Sequence, residues 1–292
     1  MGAPIEFGRK ILSEEEMPTG VYDRPGMARR RQVLRATISA LEAPGAATQF
    51  RACAAQNLAG WRAAPSVSVI SSTVRVISGD WGAVTLGLTK QYGTTFAVLN
   101  MANAYVPGGG YVEGMPAQEE NMFRRTDCHF SIDPGHVNRE SERYHPAFSA
   151  LLNAEQGRVF LDVDRPRICL RGPEDRSRRD LGYLWLAEDE IFPFYELRAS
   201  AMDLRSGQPF DPVEARVRIV AQLETLIAAN IRHAVLSAFG CGAFQNPASA
   251  VAQIYREEIM RRQEHYDLLA FAIFHPGYGP DNLSPFRRVF EA

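Results

Sequence analysis

The chain is poor in several features that would assign it quickly. It has four cysteines, Cys53, Cys128, Cys169 and Cys241, and none stands in a CxxC pair. That argues against the common zinc sites and a dense disulfide framework, and sets reduced, intracellular chemistry as the expectation. No apolar run approaches the length of a membrane span, and Met1 to Lys10 lacks a basic stretch followed by an apolar one, so neither a membrane partner nor an export signal is expected. Met1-Gly2 begins like a myristoylation site, but Glu6 occupies the position that wants Ser or Thr. The net charge is −2, too small for the whole surface to attract nucleic acid or anionic lipid. Internal repeats and low-complexity tracts are also missing. A partner therefore has to be argued from a local site.

What is present is core-forming sequence. Of the 292 residues 46% are hydrophobic, enough for one large domain or a domain with a helical extension. Pro4, Pro18 and Pro25, interleaved with Gly2, Gly8, Gly20 and Gly26, make residues 1–26 a loosely ordered leader, helical only briefly around Ser13 to Glu16. Leu34, Ile38 and Leu41 then recur at helical spacing, and Arg29, Arg30, Arg31 and Arg35 read as the solvated face of that helix. A second helix covers 48–63. Val67 to Ile77 alternates like a strand or a pair of strands, Ser78-Gly79-Asp80 turns the chain, Thr85 to Gln91 is a short helix and Thr94 to Leu99 a buried strand. Further on, Val159 to Phe160 and Ile168 to Leu170 read as strands, Pro173 to Asp180 as an exposed charged loop, and Phe192 to Leu197 as the lead-in to another strand. Asp211 and Pro212 open the clearest helix, which runs to Ala229. Ala234 to Ala238 and Leu268 to Phe274 are buried strands, and Pro247 to Met260 and Ser284 to Phe290 are helices. The alternation of strand and helix implies an α/β fold with parallel strands and crossover helices.

The stretch most suited to chemistry is residues 100–120. Three consecutive glycines, Gly108, Gly109 and Gly110, remove every Cβ from one turn, so a ligand can approach the backbone amides. Asn100 and Asn103, at the end of the strand before it, offer donors and acceptors suited to sugar hydroxyls. Gln118, Glu119 and Glu120 open the following helix. Adjacent helical glutamates diverge by about 100°, so one is expected to react and the other to orient substrate. A second glycine turn, Gly240-Cys241-Gly242-Ala243-Phe244, lies between a strand and a helix whose first amides and dipole suit a diphosphate. Cys241 reads as a turn residue rather than a nucleophile. His129, His136 and His145 fit no helical metal pair and read as loop residues; His233 and His265 are expected at the surface, and His275 near the pocket.

Gly108-Gly109-Gly110, seven residues, then Gln118-Glu119-Glu120 resembles the signature of the microbial-type poly(ADP-ribose) glycohydrolases, a branch of the macrodomain fold. Asn100-Met-Ala-Asn103 is similar to the macrodomain asparagine loop, Gly240 to Phe244 to its diphosphate loop with a covering aromatic, and Ser78-Gly79-Asp80 to an element whose carboxylate contacts adenine. The resemblance implies a macrodomain-like three-layer α/β/α unit with a mixed central sheet over 66–292, packed with a leader and N-terminal helical extension over 1–65. It implies hydrolysis of ADP-ribose linkages, with Glu120 as catalytic acid and base. Glu119 and Gln118 would hold ribose hydroxyls, Asn103 and Gly108 to Gly110 the distal ribose, Gly240, Cys241, Gly242 and Ala243 the diphosphate, and Phe244 would pack on the ligand. Asp80 would meet the adenine. No cofactor or metal is required, and the aspartate clusters of magnesium-dependent ADP-ribosyl hydrolases are not found. The implied partner is ADP-ribose or an ADP-ribosylated protein, with no nucleic acid and no membrane. The implied setting is cytoplasmic, in the producing cell or in another cell's cytosol after delivery. The stretch from Thr126 to Asp203 departs most from the family pattern and leaves the acceptor open. A hydrolase for one acceptor, such as arginine-linked ADP-ribose on ubiquitin, is the alternative within the class; a reader that binds without cleaving is the alternative outside it.

Overall fold

A computed structural model describes residue 9 and residues 26–64, 73–277 and 279–291. The leader apart from Arg9 and Gly26, and residues 67–72 of the expected first strand, lie outside the described residues. The chain forms α1 (Met27–Glu42), α2 (Ala46–Ala63), β1 (Val74–Ser78), α3 (Trp81–Tyr92), β2 (Ala97–Met101) and α4 (Gln118–Arg125). A small antiparallel pair, β3 (Val137–Asn138) and β4 (Arg143–Tyr144), leads to α5 (Pro146–Leu152), β5 (Phe160–Cys169) and β6 (Phe192–Ala199). The last stretch holds α6 (Pro212–Ala228), β7 (His233–Leu236), α7 (Ala248–Met260), β8 (Leu268–Ile273) and α8 (Leu283–Phe290).

The central sheet has six strands in the order β1-β8-β7-β2-β6-β5. Its first five strands run parallel, and β5 pairs antiparallel with β6, so the sheet is mixed. Alternation along the strands sorts the core to its two faces. Ala97 and Leu99 of β2 pack in one cluster with Leu223 of α6, Ile254 of α7 and Phe286 of α8. Phe96 and Val98 pack in the other with Leu34 of α1, Trp81 of α3 and Phe123 of α4. Helices on both faces make three layers. Because the five strands are parallel, the turns after Ser78, Met101, Leu236 and Ile273 gather along one edge, where open α/β sheets present ligand crevices.

Four expectations change. Phe192 to Leu197 is no lead-in but most of β6 itself. Pro193 is tolerated because β2 pairs with β6 only from Tyr195 onward, so no ladder bond from that side needs its missing N–H. The two short strands around 160 and 168 are one strand with a bulge between Asp162 and Arg167. The arginine face of α1 is not uniformly solvated: Arg30 and Arg31 are buried. Arg30 binds Glu174 through two hydrogen bonds, at 2.7 and 3.1 Å, and Arg31 donates to the Glu113 carbonyl at 3.2 Å. Glu174 is thereby an inward anchor of a loop expected to be wholly exposed. Its carboxyl also accepts from Tyr183 and Arg176. Burial pushes that carboxyl up, but these three donors outweigh it and hold it at about 2.

Candidate active site

The residues of the 100–120 stretch converge where β2 ends and α4 begins. Gln118 fastens the two elements: its Oε1 accepts from the Met101 amide and its Nε2 donates to the Leu99 carbonyl, both at 2.9 Å. Both ends of this amide are thus engaged by the β2 backbone, a structural task added to the sugar contact expected of it. Asn103 Oδ1 closes a local turn by accepting from the Tyr105 and Val106 amides, at 2.8 and 2.9 Å. Asn100 is buried and donates to Glu196 Oε1 at 2.8 Å.

Both glutamates turn back onto this loop. Glu119 Oε2 accepts from the Asn103 amide at 2.7 Å, and Glu120 Oε1 from the Gly110 amide at 2.9 Å. They are 3% and 8% exposed. Adjacent positions on a helix do send the side chains apart, yet the loop folds over the helix start and meets both carboxyls. At Gly109, φ is +57°, and a Cβ there would lie 2.5 Å from Glu120 Oε1 and 3.0 Å from Glu119 Oε2, so the site needs glycine there on both counts. Glu119 Oε1 and Glu120 Oε2 are buried and make no hydrogen bond within the protein. Such atoms cost stability unless a ligand uses them.

Burial is the largest influence on both acids. It raises Glu119 well above the ordinary carboxyl range, and the charge of Glu120 adds to this against the Asn103 amide and Arg198. It also raises Glu120, against the Gly110 amide, the amide of Glu120 itself and Arg124. Two acids so close titrate as a pair, and burial favours the protonated form in both.

The second glycine turn follows β7, the sheet neighbour of β2. Gly240 has φ +74°, and a Cβ on it would meet Ala201 at 2.5 Å and Asn246 Nδ2 at 2.6 Å. Asn246 is buried and ties the turn together, donating to the carbonyls of Met202 at 2.7 Å and Gly240 at 3.1 Å. Gly242 and Ala243 are exposed and Phe244 half-buried. α7 starts beyond the turn with no side-chain cap, so its first amides and dipole suit an anion. Arg205, on the loop after β6, lies with its guanidinium carbon 5.1 Å from the centre of the Phe244 ring. It pairs with Asp203, and the Leu204 amide beside it donates to the Phe244 carbonyl at 3.1 Å.

Cys241 is buried, and burial pushes its thiol up to about 12, which leaves no thiolate for nucleophilic work. Cys128 and Cys169 are buried as well, whereas Cys53 is half-buried. Iodoacetamide at pH 8 is therefore expected to label the native protein once, at Cys53. Mass spectrometry showing rapid alkylation of Cys241 would contradict this environment.

The remaining candidates have other partners. Asp80 caps α3, accepting from the Gly82 and Ala83 amides, and binds Arg125 at 2.8 Å. His129 is buried against the Tyr111 hydroxyl at 2.9 Å, and burial lowers its ring to about 4. His233 is a correction: it is half-buried, edge-on to Phe96 with ring centres 5.2 Å apart, rather than at the surface. His275 is exposed and accepts from the Gly277 amide. Arg205, Asn246 and Glu196 were not legible as site residues, because each acts through a contact distant in sequence.

Residues 36–148, which hold both asparagines, the three glycines and both glutamates, match the family described as microbial-type PARG, catalytic domain. No curated protein matches the chain. Among solved structures, the poly(ADP-ribose) glycohydrolase from Thermomonospora curvata is 21% identical, with 90% of this chain and 100% of that one covered and a TM-score of 0.61. The same enzyme bound to the inhibitor ADP-HPD matches at 21% identity, the same coverage and a TM-score of 0.60. The poly(ADP-ribose) glycohydrolase from Deinococcus radiodurans in complex with ADP-ribose matches at 24% identity, 84% and 91% coverage and a TM-score of 0.54. Residues 36–148 are thus similar to the catalytic domain of microbial-type poly(ADP-ribose) glycohydrolases, and 90% of the chain shares the fold of the Thermomonospora curvata structure.

Proposed function

We propose that the protein hydrolyses the glycosidic bond at the distal ribose of protein-attached ADP-ribose, with the polymer as its preferred substrate. One observation carries this reading: two buried carboxyls spend one oxygen each on the backbone of the asparagine and glycine loops and hold the other unbonded. Binding an anionic ligand needs no such pair; protonating a leaving oxygen does. In the proposed cycle the Glu120 carboxyl gives its proton to the departing oxygen as the bond from the anomeric carbon breaks. The oxocarbenium-like ribose is then attacked by water, and the Glu120 carboxylate takes a proton from that water. Glu119, fixed by the Asn103 amide, holds a ribose hydroxyl in this cycle, and the Asn103 side-chain nitrogen donates to another. The turn from Gly240 to Ala243, with the start of α7, takes the diphosphate.

Arg205 favours a polymer over an arginine-linked substrate. It stands over Phe244, and its hydrogen bond to Asp203, then the charge of Asp203 and, more weakly, that of Glu120, raise its guanidinium. A cation at that place attracts a leaving ADP-ribose unit and repels a leaving guanidine. Parallel assays on poly(ADP-ribose), arginine-linked and glutamate-linked ADP-ribosylated proteins test the reading, scored by release of ADP-ribose. Arg205→Ala is expected to raise KM for the polymer by about two- to fivefold, the range of an exposed ionic contact, and to spare the arginine-linked substrate. Binding of ADP-ribose with no release from any of the three substrates would support a non-catalytic reader instead.

A further inference from the structure

Arg9 reaches the active site from the leader. Its Nη1 donates to the Gly109 carbonyl at 2.6 Å, its Nη2 meets Glu113 at 2.8 Å and its Nε meets Glu142 at 3.1 Å. The side chain is 10% exposed. The Gly109 carbonyl belongs to the same peptide unit as the Gly110 N–H, and that N–H is the donor to Glu120 Oε1 at 2.9 Å. A guanidinium, a peptide plane and the proposed catalytic carboxyl therefore stand in one hydrogen-bonded row.

We propose that Arg9 is a positioning residue: by holding the Gly109 carbonyl it orients and polarises the peptide unit whose N–H binds Glu120. Two physical effects support this. Hydrogen bonds in series strengthen one another, so a cation on the carbonyl makes the N–H of the same amide a better donor. Gly108 and Gly109 both take positive φ, at +72° and +57°, and glycines there have many other conformations to visit. An external anchor narrows that choice, and Glu113 and Glu142 fix the anchor in turn. The charged groups acting on Glu120 are Glu119 and Arg124 from α4, Glu113 from the glycine loop and Arg205 from the loop after β6. Arg9 differs from these by acting through the peptide that Glu120 binds.

The inference rests on the hydrolase reading for its catalytic meaning, so its test includes a measurement made without turnover. The Glu120 carboxyl is titrated by carbon NMR in the unliganded full chain, as wild type, Arg9→Met and Arg9→Lys. Arg9→Met is expected to raise the Glu120 midpoint by about half a pH unit or more, because the carboxylate loses donor strength. Lysine, which keeps the charge at the carbonyl, is expected to restore most of it. On poly(ADP-ribose), Arg9→Met should lower kcat about tenfold with KM within twofold, as misplacement of an acid does, and shift the alkaline limb of the rate profile upward. If Arg9→Met does not fold, Glu142→Gln, which removes one anchor from outside the glycine loop, should move the midpoint the same way by less. An unchanged Glu120 midpoint, with or without a lowered Tm, overturns the inference. A wild type that cleaves no ADP-ribosyl substrate would sink the hydrolase reading, and the NMR midpoint would still decide the role of Arg9.

Discussion

Glu120→Gln is expected to slow release of ADP-ribose by about 10²- to 10⁴-fold, the usual worth of a general acid and base, while affinity for ADP-ribose stays within a few-fold of wild type. The amide keeps an acceptor for the Gly110 N–H, so the loop that the carboxyl organises is preserved. What disappears is the proton. The same variant should melt higher at neutral pH, and the sign follows from burial. The Glu120 carboxyl is raised above its ordinary value of 4.5, so the stability it contributes is complete below that value and is lost as pH rises through the raised one. A neutral amide escapes that loss. The gap in Tm between variant and wild type is therefore expected to open above pH 4.5 and to close below it, by about 2–4 °C for each kcal/mol involved. Glu119→Gln should behave alike in stability, since burial and Glu120 raise its carboxyl too. Calorimetry across pH 4 to 8 checks both. An inactive Glu120→Gln that melts below wild type at pH 8 would mean that the carboxyl is held as a structural anion.

Contiguous signals were the ones the sequence could show. The glycine loop, the glutamates and the second glycine turn each occupy a run of neighbouring residues, and periodicity placed α1, α6 and β8 close to where they lie. Helix periodicity separates apolar from polar positions, but it is silent on what the polar ones meet. Arg30 reads as solvent-facing because its partner Glu174 lies 144 residues away. The same holds for Arg9, whose bond to Gly109 spans 100 residues. Gln118 illustrates another limit. A glutamine at the start of a helix beside two glutamates suggests a substrate contact, and only the placement of β2 beside α4 shows that its amide also fastens the β2 backbone. Asp80 likewise carries two structural tasks, a helix cap and a bond to buried Arg125, that no short motif records.

Removing Glu196 is the substitution expected to cost the fold most. Its carboxyl is fully buried on β6 and accepts from Asn100 at 2.8 Å, from Arg198 at 2.6 and 2.9 Å and from Arg167 at 3.0 Å. Burial alone would push this acid up; Arg198 and Arg167 outweigh it and hold it at about 2. Glu196→Gln keeps the shape but leaves two buried guanidinium groups without their shared carboxylate. Breaking a buried pair in that way costs about 3–5 kcal/mol, a fall in Tm on the order of 10 °C. The sign here is opposite to that at Glu120. A depressed carboxyl contributes stability above its unfolded value, near 4.5, and loses it as pH falls toward 2, so the deficit should shrink across that window. The cluster also reaches the active site. Asn100, one residue from the end of β2, binds Glu196, and Arg198 already pulls the Glu119 carboxyl downward. Without the Glu196 charge that pull is less opposed, so Glu119 should ionise at lower pH in the variant. Carbon NMR of the Glu119 carboxyl, run beside thermal melts from pH 3 to 7, measures both effects. A melting point within 2 °C of wild type at pH 7 would mean that water, not Glu196, satisfies the two arginines.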